Sequence, residues 1–198
     1  MIKVGITGGI GSGKTTICNF FELLNIPVFT ADTEAKRIIV TSTDIKKQLT
    51  YFLGDDIYFK DQTLNRKIIA KRIFHSPELL AKINAIVHPA VFKEFERWCL
   101  DKNSPYVLFE AAILFECGMY KKMDVNVLIT ATEEIRIKRV MARDNSNKEE
   151  VKNKIAKQWK EEKKEDYADC IIYNDNRELL IPQLLNLDKK LRNNESFK

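Results

Sequence analysis

The chain has 198 residues, 44% of them apolar and 31% charged, with a formal net charge of +5; that describes one folded domain with at most one inserted module, and excludes a disordered chain. No apolar run approaches the roughly 18 residues of a membrane span, and Met1-Ile2-Lys3-Val4-Gly5 leads straight into a glycine-rich motif, so neither a membrane partner nor a secretion signal is expected. Cys18, Cys99, Cys117 and Cys170 form no CxxC pair, and the two histidines, His75 and His88, do not cluster with them; this argues against a disulfide framework or a structural zinc site and suits small buried residues in a reducing cytoplasm.

Ile2 to Thr7 is a short β-branched run and predicts a buried strand. Five of the seven glycines follow or lie within it, between Gly5 and Gly13. Ile17, Phe20, Phe21 and Leu24 then recur at helical spacing, so Thr15 to Leu24 predicts a helix that Asn25-Ile26-Pro27 ends. Val28-Phe29-Thr30 is a second strand. Strand, helix and strand within about 30 residues make a βαβ unit and therefore a parallel sheet.

From Thr33 to Trp98 the pattern is mostly helical, with a helix start at Ser76-Pro77-Glu78. A helical block between strands reads as an insertion that covers a substrate. Tyr106 to Phe109 and Val125 to Thr130 are the third and fourth strands, and Glu133 to Arg143 is a helix. Lys148 to Lys164 reads as one further, strongly charged helix. Across residues 136–164 eleven Lys and Arg face five Asp and Glu, a local +6, while the rest of the chain sums to −1. A general nucleic-acid binder spreads basic charge over a broad surface; one basic segment points to a local anion site or a mobile flap, and no nucleic-acid partner is expected. Cys170 to Tyr173 is the fifth strand, Asn174-Asp175-Asn176 a loop, and Arg177 to Leu191 the last helix. Five strands interleaved with helices predict a doubly wound α/β fold.

Gly8-Gly9-Ile10-Gly11-Ser12-Gly13-Lys14-Thr15 fits GxxxxGK[ST] at every fixed position, between a predicted strand and a predicted helix. Glycine allows the backbone to curl until several N–H groups converge on a phosphate, and the helix adds its free N–H groups and the positive end of its dipole. Gly11, Ser12, Gly13, Lys14, Thr15 and Thr16 are the expected nucleotide-binding residues. Lys14 supplies charge between the β- and γ-phosphates, and the Thr15 hydroxyl is placed to ligate Mg²⁺. No glycine has an aspartate three residues before it and neither Asn-Lys pair continues to NKxD, so a GTPase is disfavoured and ATP is the expected nucleotide.

Asp32 follows the second strand, at the sheet edge where open α/β folds bind ligands. A carboxylate there accepts a proton from an attacking alcohol or holds a Mg²⁺-bound water; it equally caps a helix starting near Thr33. Glu110 ends the third strand in a Walker B-like place and is a candidate Mg²⁺ residue; Glu116, six residues on, reads as either a site acid or a surface one. Arg139 and Arg143 are four apart and share a helix face. Guanidinium groups suit a transferring phosphoryl group, because they stay charged and bind two oxygens at once. Alternatively that face is solvated.

The ordered set of Thr7 through Thr15, Val28 through Asp32, Leu64-Asn65-Arg66, Ile86-Val87-His88-Pro89, Leu114-Phe115-Glu116, Arg139 through Asp144, Gln158 and Ala168 through Asn174 resembles the dephospho-coenzyme A kinase family along most of the chain. The resemblance implies a P-loop core of residues 1–32, 89–138 and 165–198, a helical substrate domain of 33–88 and a helical lid of 139–164. It implies that MgATP phosphorylates the ribose 3′-hydroxyl of dephospho-CoA, in the cytoplasm, by a monomer or weak homo-oligomer. Asp32 would face the hydroxyl as base and Lys14 and Arg143 would act on the transferring group. Arg139 would contact ATP unless its face is solvated, and His88 would contact dephospho-CoA unless it is a hydrogen-bonded core or cap residue. From its place past the fifth strand, at the ligand edge, Asn174 is expected near the adenine of ATP, or is a turn residue; Arg66 is expected to pair with a phosphate of dephospho-CoA, or is an ordinary surface residue. Thr30, Glu110, Ala112 and Lys154 depart from the family's commonest pattern. Another P-loop kinase, of a nucleoside monophosphate or a small alcohol, and a non-catalytic NTP-binding module are the rival readings.

Overall fold

The computed structural model describes residues 1–74 and 76–197; His75 therefore lies outside the described residues. Along the chain β1 (Ile2–Thr7), α1 (Lys14–Leu23) and β2 (Val28–Thr30) are followed by four helices, α2 (Ala31–Thr41), α3 (Thr43–Leu53), α4 (Arg66–Phe74) and α5 (Pro77–Leu100). The chain then runs through β3 (Tyr106–Glu110), β4 (Val125–Thr130), α6 (Glu133–Asp144), α7 (Lys148–Ile155), α8 (Glu161–Glu165), β5 (Cys170–Tyr173) and α9 (Leu180–Arg192). It divides into two compact units, Met1–Thr30 with Lys102–Lys198, and Ala31–Asp101.

The first unit holds the whole sheet, in the order β2-β3-β1-β4-β5 with every pairing parallel. Strands buried on both faces require continuous apolar runs. Val4 and Ile6 of β1, Val107 and Leu108 of β3 and Val127, Leu128 and Ile129 of β4 have no exposed surface. The stripe Ile17, Cys18 and Phe21 of α1 and the stripe Leu184, Leu187 and Leu191 of α9 pack into one cluster with Val4, Ile6, Val127 and Ile172. Parallel pairing aligns the carboxyl ends: Ile6 and Thr30 both register with Glu110, and Thr130 with Tyr173. The loop leaving β1 therefore emerges at the ligand-binding edge, between β3 and β4.

The second unit is helical. Ile38, Ile45, Leu49, Leu53, Ile57, Val87, Val91, Phe92 and Phe95 are buried. Ser42 caps α3 by accepting from the Ile45 N–H at 3.4 Å, and Ser76 caps α5 by accepting from the Leu79 N–H at 3.3 Å, with Pro77 opening that helix. The boundary expected between residues 88 and 89 falls inside α5, which continues past Pro89 to Leu100.

Three local expectations change. The helix expected over 148–164 is two helices, α7 and α8, separated at 156–160. There the chain bonds elsewhere: Gln158 Oε1 accepts from the Ile10 N–H at 2.9 Å, and the Trp159 N–H donates to Glu116 Oε1 at 3.2 Å. The last helix starts at Leu180 rather than Arg177, whose N–H is held by Asp175 Oδ1 at 3.0 Å in a side-chain turn. Asp32 is not a cap, because α2 begins at Ala31 and Asp32 lies within its first turn.

Candidate active site

The glycine-rich loop runs from Gly8 to Gly13 between β1 and α1. Gly11 (φ 81°) and Gly13 (φ 99°) adopt left-handed backbone that other residues enter only with strain. Gly13 is also the N-cap of α1 and supplies no side-chain cap, so the first N–H groups of the helix have no intrahelical acceptor and remain available to an anion. The loop closes on itself through Ser12 N–H to the Gly9 carbonyl at 3.1 Å, and Lys14 Nζ donates to the Gly8 carbonyl at 2.9 Å. Lys14 thus curls back over the loop that its charge is expected to serve. Thr15 and Thr16 are exposed in the first turn of α1.

Residues distant in the chain seat this loop. Asn174, just past β5, donates from Nδ2 to the Ser12 carbonyl at 2.8 Å. From α6, Arg139 donates to the same carbonyl at 3.5 Å and also reaches Asn174 Oδ1 and Asn176 Oδ1 at 3.5 and 3.4 Å. Of the expected ATP contacts, Arg139 and Asn174 therefore meet the loop. Arg143 does not: it lies exposed and paired with Asp144, Nε to Oδ1 at 2.7 Å and NH2 to Oδ2 at 3.1 Å. The hydrogen bonds to Asp144 raise the Arg143 pKa further.

Glu110 ends β3, partly buried. It lies close enough to act on the thiol of Cys18, whose pKa is pushed up to about 12, first by burial and then by Glu110 and Glu22, with Lys14 opposing. Cys18 is one turn along α1 from Thr15. A hydroxyl and a carboxylate are hard oxygen donors of the kind Mg²⁺ takes alongside water and phosphate, so the residues present fit that ion. Glu116 is not a surface acid: only 14% of its side chain is exposed, and it holds the Trp159 N–H.

The second unit carries the other expected residues. Asp32 is exposed and, among the described residues, makes no side-chain hydrogen bond or ion pair. His88 is half-buried, and its pKa is lowered by burial while the Asp32 carboxylate acts the other way. Arg66 is exposed at the first residue of α4, with no side-chain partner among the described residues.

Sequence reasoning passed over Arg136 and gave Gln158 no role. Arg136 is one turn before Arg139 and only 5% exposed, and a Cβ on Gly9 would run into its guanidinium. Its i, i+3 relation to Arg139 was the available signal. Gln158 bridges the loop at Ile10 and the Ala112 carbonyl, the latter at 3.4 Å. Beside Arg136 opens a cleft of about 870 Å³, lined among others by Thr132, Trp159, Tyr173, Asp175 and Arg177, within the size range of small-molecule sites.

Comparison with known proteins points to one family. The family model described as dephospho-CoA kinase matches residues 2–179. A curated dephospho-CoA kinase of Bacteroides fragilis is 36% identical over 187 residues, covering 94% of this chain and 91% of the relative. Among solved structures, TT1252 from Thermus thermophilus superposes with a TM-score of 0.82 at 29% identity, over 98% of this chain and 97% of that one. A dephospho-CoA kinase from Campylobacter jejuni, 23% identical, shares the fold with a TM-score of 0.70 over 97% of this chain and 98% of its own.

Proposed function

The chain belongs to the dephospho-CoA kinase family, and we propose from that premise that it transfers the γ-phosphoryl group of ATP to the ribose 3′-hydroxyl of dephospho-CoA, releasing CoA and ADP. The observation that carries this reading is the coincidence of the family match over residues 2–179 with a phosphate cradle seated by Asn174 and Arg139.

In the proposed reaction the 3′-oxygen attacks in line. A bond forms from that oxygen to the γ-phosphorus, and the bond from the γ-phosphorus to the oxygen bridging the β-phosphate breaks. Asp32 takes the hydroxyl proton and later yields it to solvent. The α1 N–H groups and Lys14 neutralise charge on the β- and γ-phosphates. Thr15, Glu110 and Asp32 are the residues that would hold Mg²⁺, which when bound would offset negative charge on the phosphates. Arg143 leaves Asp144 for the transferring group, and Arg139 and Asn174 bind ATP. In the 33–88 segment Arg66 pairs with a phosphate of dephospho-CoA and His88 contacts the same substrate, while the 139–164 segment acts as the lid that excludes water. The proposed setting is the cytoplasm, and the proposed state a monomer or weak homo-oligomer. Among the described residues no helix is long and apolar enough to cross a membrane.

A panel of acceptors with MgATP tests the reading: dephospho-CoA, AMP, CMP, shikimate and gluconate. ADP release should depend on dephospho-CoA and fall at least about a hundredfold with the others. Turnover with another acceptor and none with dephospho-CoA would overturn it in favour of a different P-loop kinase.

A further inference from the structure

Four buried or nearly buried charges form a cluster that meets the cradle through Arg136 and Glu161, and none of them has a role of its own in the reaction proposed above. Glu161 opens α8. Its Oε2 accepts from the Thr130 hydroxyl at 2.8 Å, at the carboxyl end of β4, and its Oε1 lies 3.3 Å from Arg136 NH1 and 3.8 Å from Lys164 Nζ. Lys164 has no exposed side-chain surface, and its Nζ makes no hydrogen bond among the described residues; its other neighbour is Glu116 Oε1 at 3.6 Å. Arg136 Nε and Glu116 Oε2 are buried and likewise unpartnered. The cluster is neutral in sum, two cations and two carboxylates.

A buried ion cluster with three unpartnered polar atoms is a poor device for stability, since well-packed apolar groups of the same volume usually serve as well or better. Its location suggests another role. A Cβ on Gly9 would collide with the Arg136 guanidinium and lie 2.9 Å from Glu161 Oε1, and a Cβ on Gly11 would lie 2.5 Å from the Arg136 carbonyl. Arg136 and Glu161 are therefore flush with the backbone of the loop, at the turn whose next N–H, that of Ile10, is held by Gln158. Thr130, Glu161 and Arg136 form a chain of contacts from the end of β4 to Gly9.

We propose that Arg136 and Glu161 are positioning residues of the nucleotide site: their ion pair, aimed by Thr130 and balanced by Lys164 and Glu116, holds the Gly9–Ile10 turn in the curvature a triphosphate needs before nucleotide arrives. The inference rests on the reading of the cradle as an ATP site. Neither residue touches a reacting atom. Loss of the pair leaves the loop to order itself on binding, which weakens ATP and leaves the acceptor unaffected.

The test uses the full chain and measures the dissociation constant of MgATP by calorimetry, KM for both substrates, and the melting temperature. Glu161→Gln keeps the shape and the Thr130 contact but removes the charge; ATP affinity should fall on the order of tenfold, with KM for dephospho-CoA within about twofold. Thr130→Val changes no charge and removes only the hydrogen bond that aims Glu161, so it guards against a failure of Glu161→Gln to fold; it should weaken ATP about threefold at an almost unchanged melting temperature. Arg136→Lys should retain more ATP affinity than Arg136→Met. ATP affinity within twofold of wild type in Thr130→Val and in whichever Glu161 and Arg136 variants fold, whatever the melting temperature, would make the cluster structural only. A wild-type chain that binds no ATP would instead sink the reading of the cradle.

Discussion

The side-chain amide of Asn174 donates to the main-chain carbonyl of Ser12 at 2.8 Å and fills the space that a Cβ on Gly13 would need. Gly13 is thus constrained twice, by its left-handed backbone (φ 99°) and by Asn174. Gly13→Ala should lose about 1–3 kcal/mol of stability from the backbone alone and most ATP affinity. Asn174→Ala in the same chain removes the collision but not the strain. The double variant should therefore bind ATP better than Gly13→Ala and worse than Asn174→Ala, a coupling that a double-mutant cycle on ATP binding measures directly. Strictly additive losses would mean that the amide and the glycine do not compete for that space.

Arg143 rests on Asp144, and 63% of its side chain is exposed. Exposed ion pairs of this kind contribute about 0–1 kcal/mol, so leaving Asp144 for a phosphoryl group costs little. Arg143→Lys keeps the charge and loses the planar fork; kcat should fall more than ATP affinity does. Equal losses would indicate a plain binding contact, and no loss a solvated helix face.

His88 supplies a pH dependence of stability. Burial lowers its pKa from the ordinary 6.5, against the opposing Asp32 carboxylate. The unfolded chain therefore takes up the proton first as pH falls, and stability present above about pH 6.5 is lost as pH drops from there through the lowered folded value. The wild-type melting temperature should fall over that interval by more than that of His88→Gln. Parallel curves would show that His88 ionises equally in both states.

Asp32→Asn separates chemistry from structure. Asp32 sits within the first turn of α2 and its side chain makes no hydrogen bond among the described residues, so the amide should melt within about two degrees of wild type. As the base, Asp32 should contribute about 10²–10⁴-fold to kcat with both substrates saturating. A variant that keeps more than a tenth of kcat would send the proton by another route.

The strands and the cradle were legible because they are local. Ile2 to Thr7 and Val125 to Thr130 are short runs rich in β-branched residues, each with one polar residue, Lys3 or Asn126, before a closing threonine, and GxxxxGK[ST] carries its own backbone logic. The break between α7 and α8 was not legible. Its lysines and glutamates keep a helical pattern, and the groups that pull the chain off that path, the Ile10 N–H and the Glu116 carboxylate, lie 148 and 43 positions away. Arg136 was hidden for a similar reason. It is one of eleven basic residues in a strongly charged run that does not single it out, and only tertiary packing buries it against Gly9 while Arg143, seven residues on, stays in water. Glu116 is the converse: an acid with no local sign of burial, enclosed because it holds Trp159 and faces Lys164.

The central claim is a phosphoryl transfer to one hydroxyl, and the identity of the product tests it most directly. Purified protein would be incubated with MgATP and dephospho-CoA, and the product analysed by mass spectrometry and by phosphorus–proton correlation. The expected product is heavier by one phosphoryl group, with the new phosphorus coupled to the ribose 3′ proton, formed one for one with ADP. ADP release with no phosphorylated dephospho-CoA, or a phosphate on any other oxygen, would contradict the account.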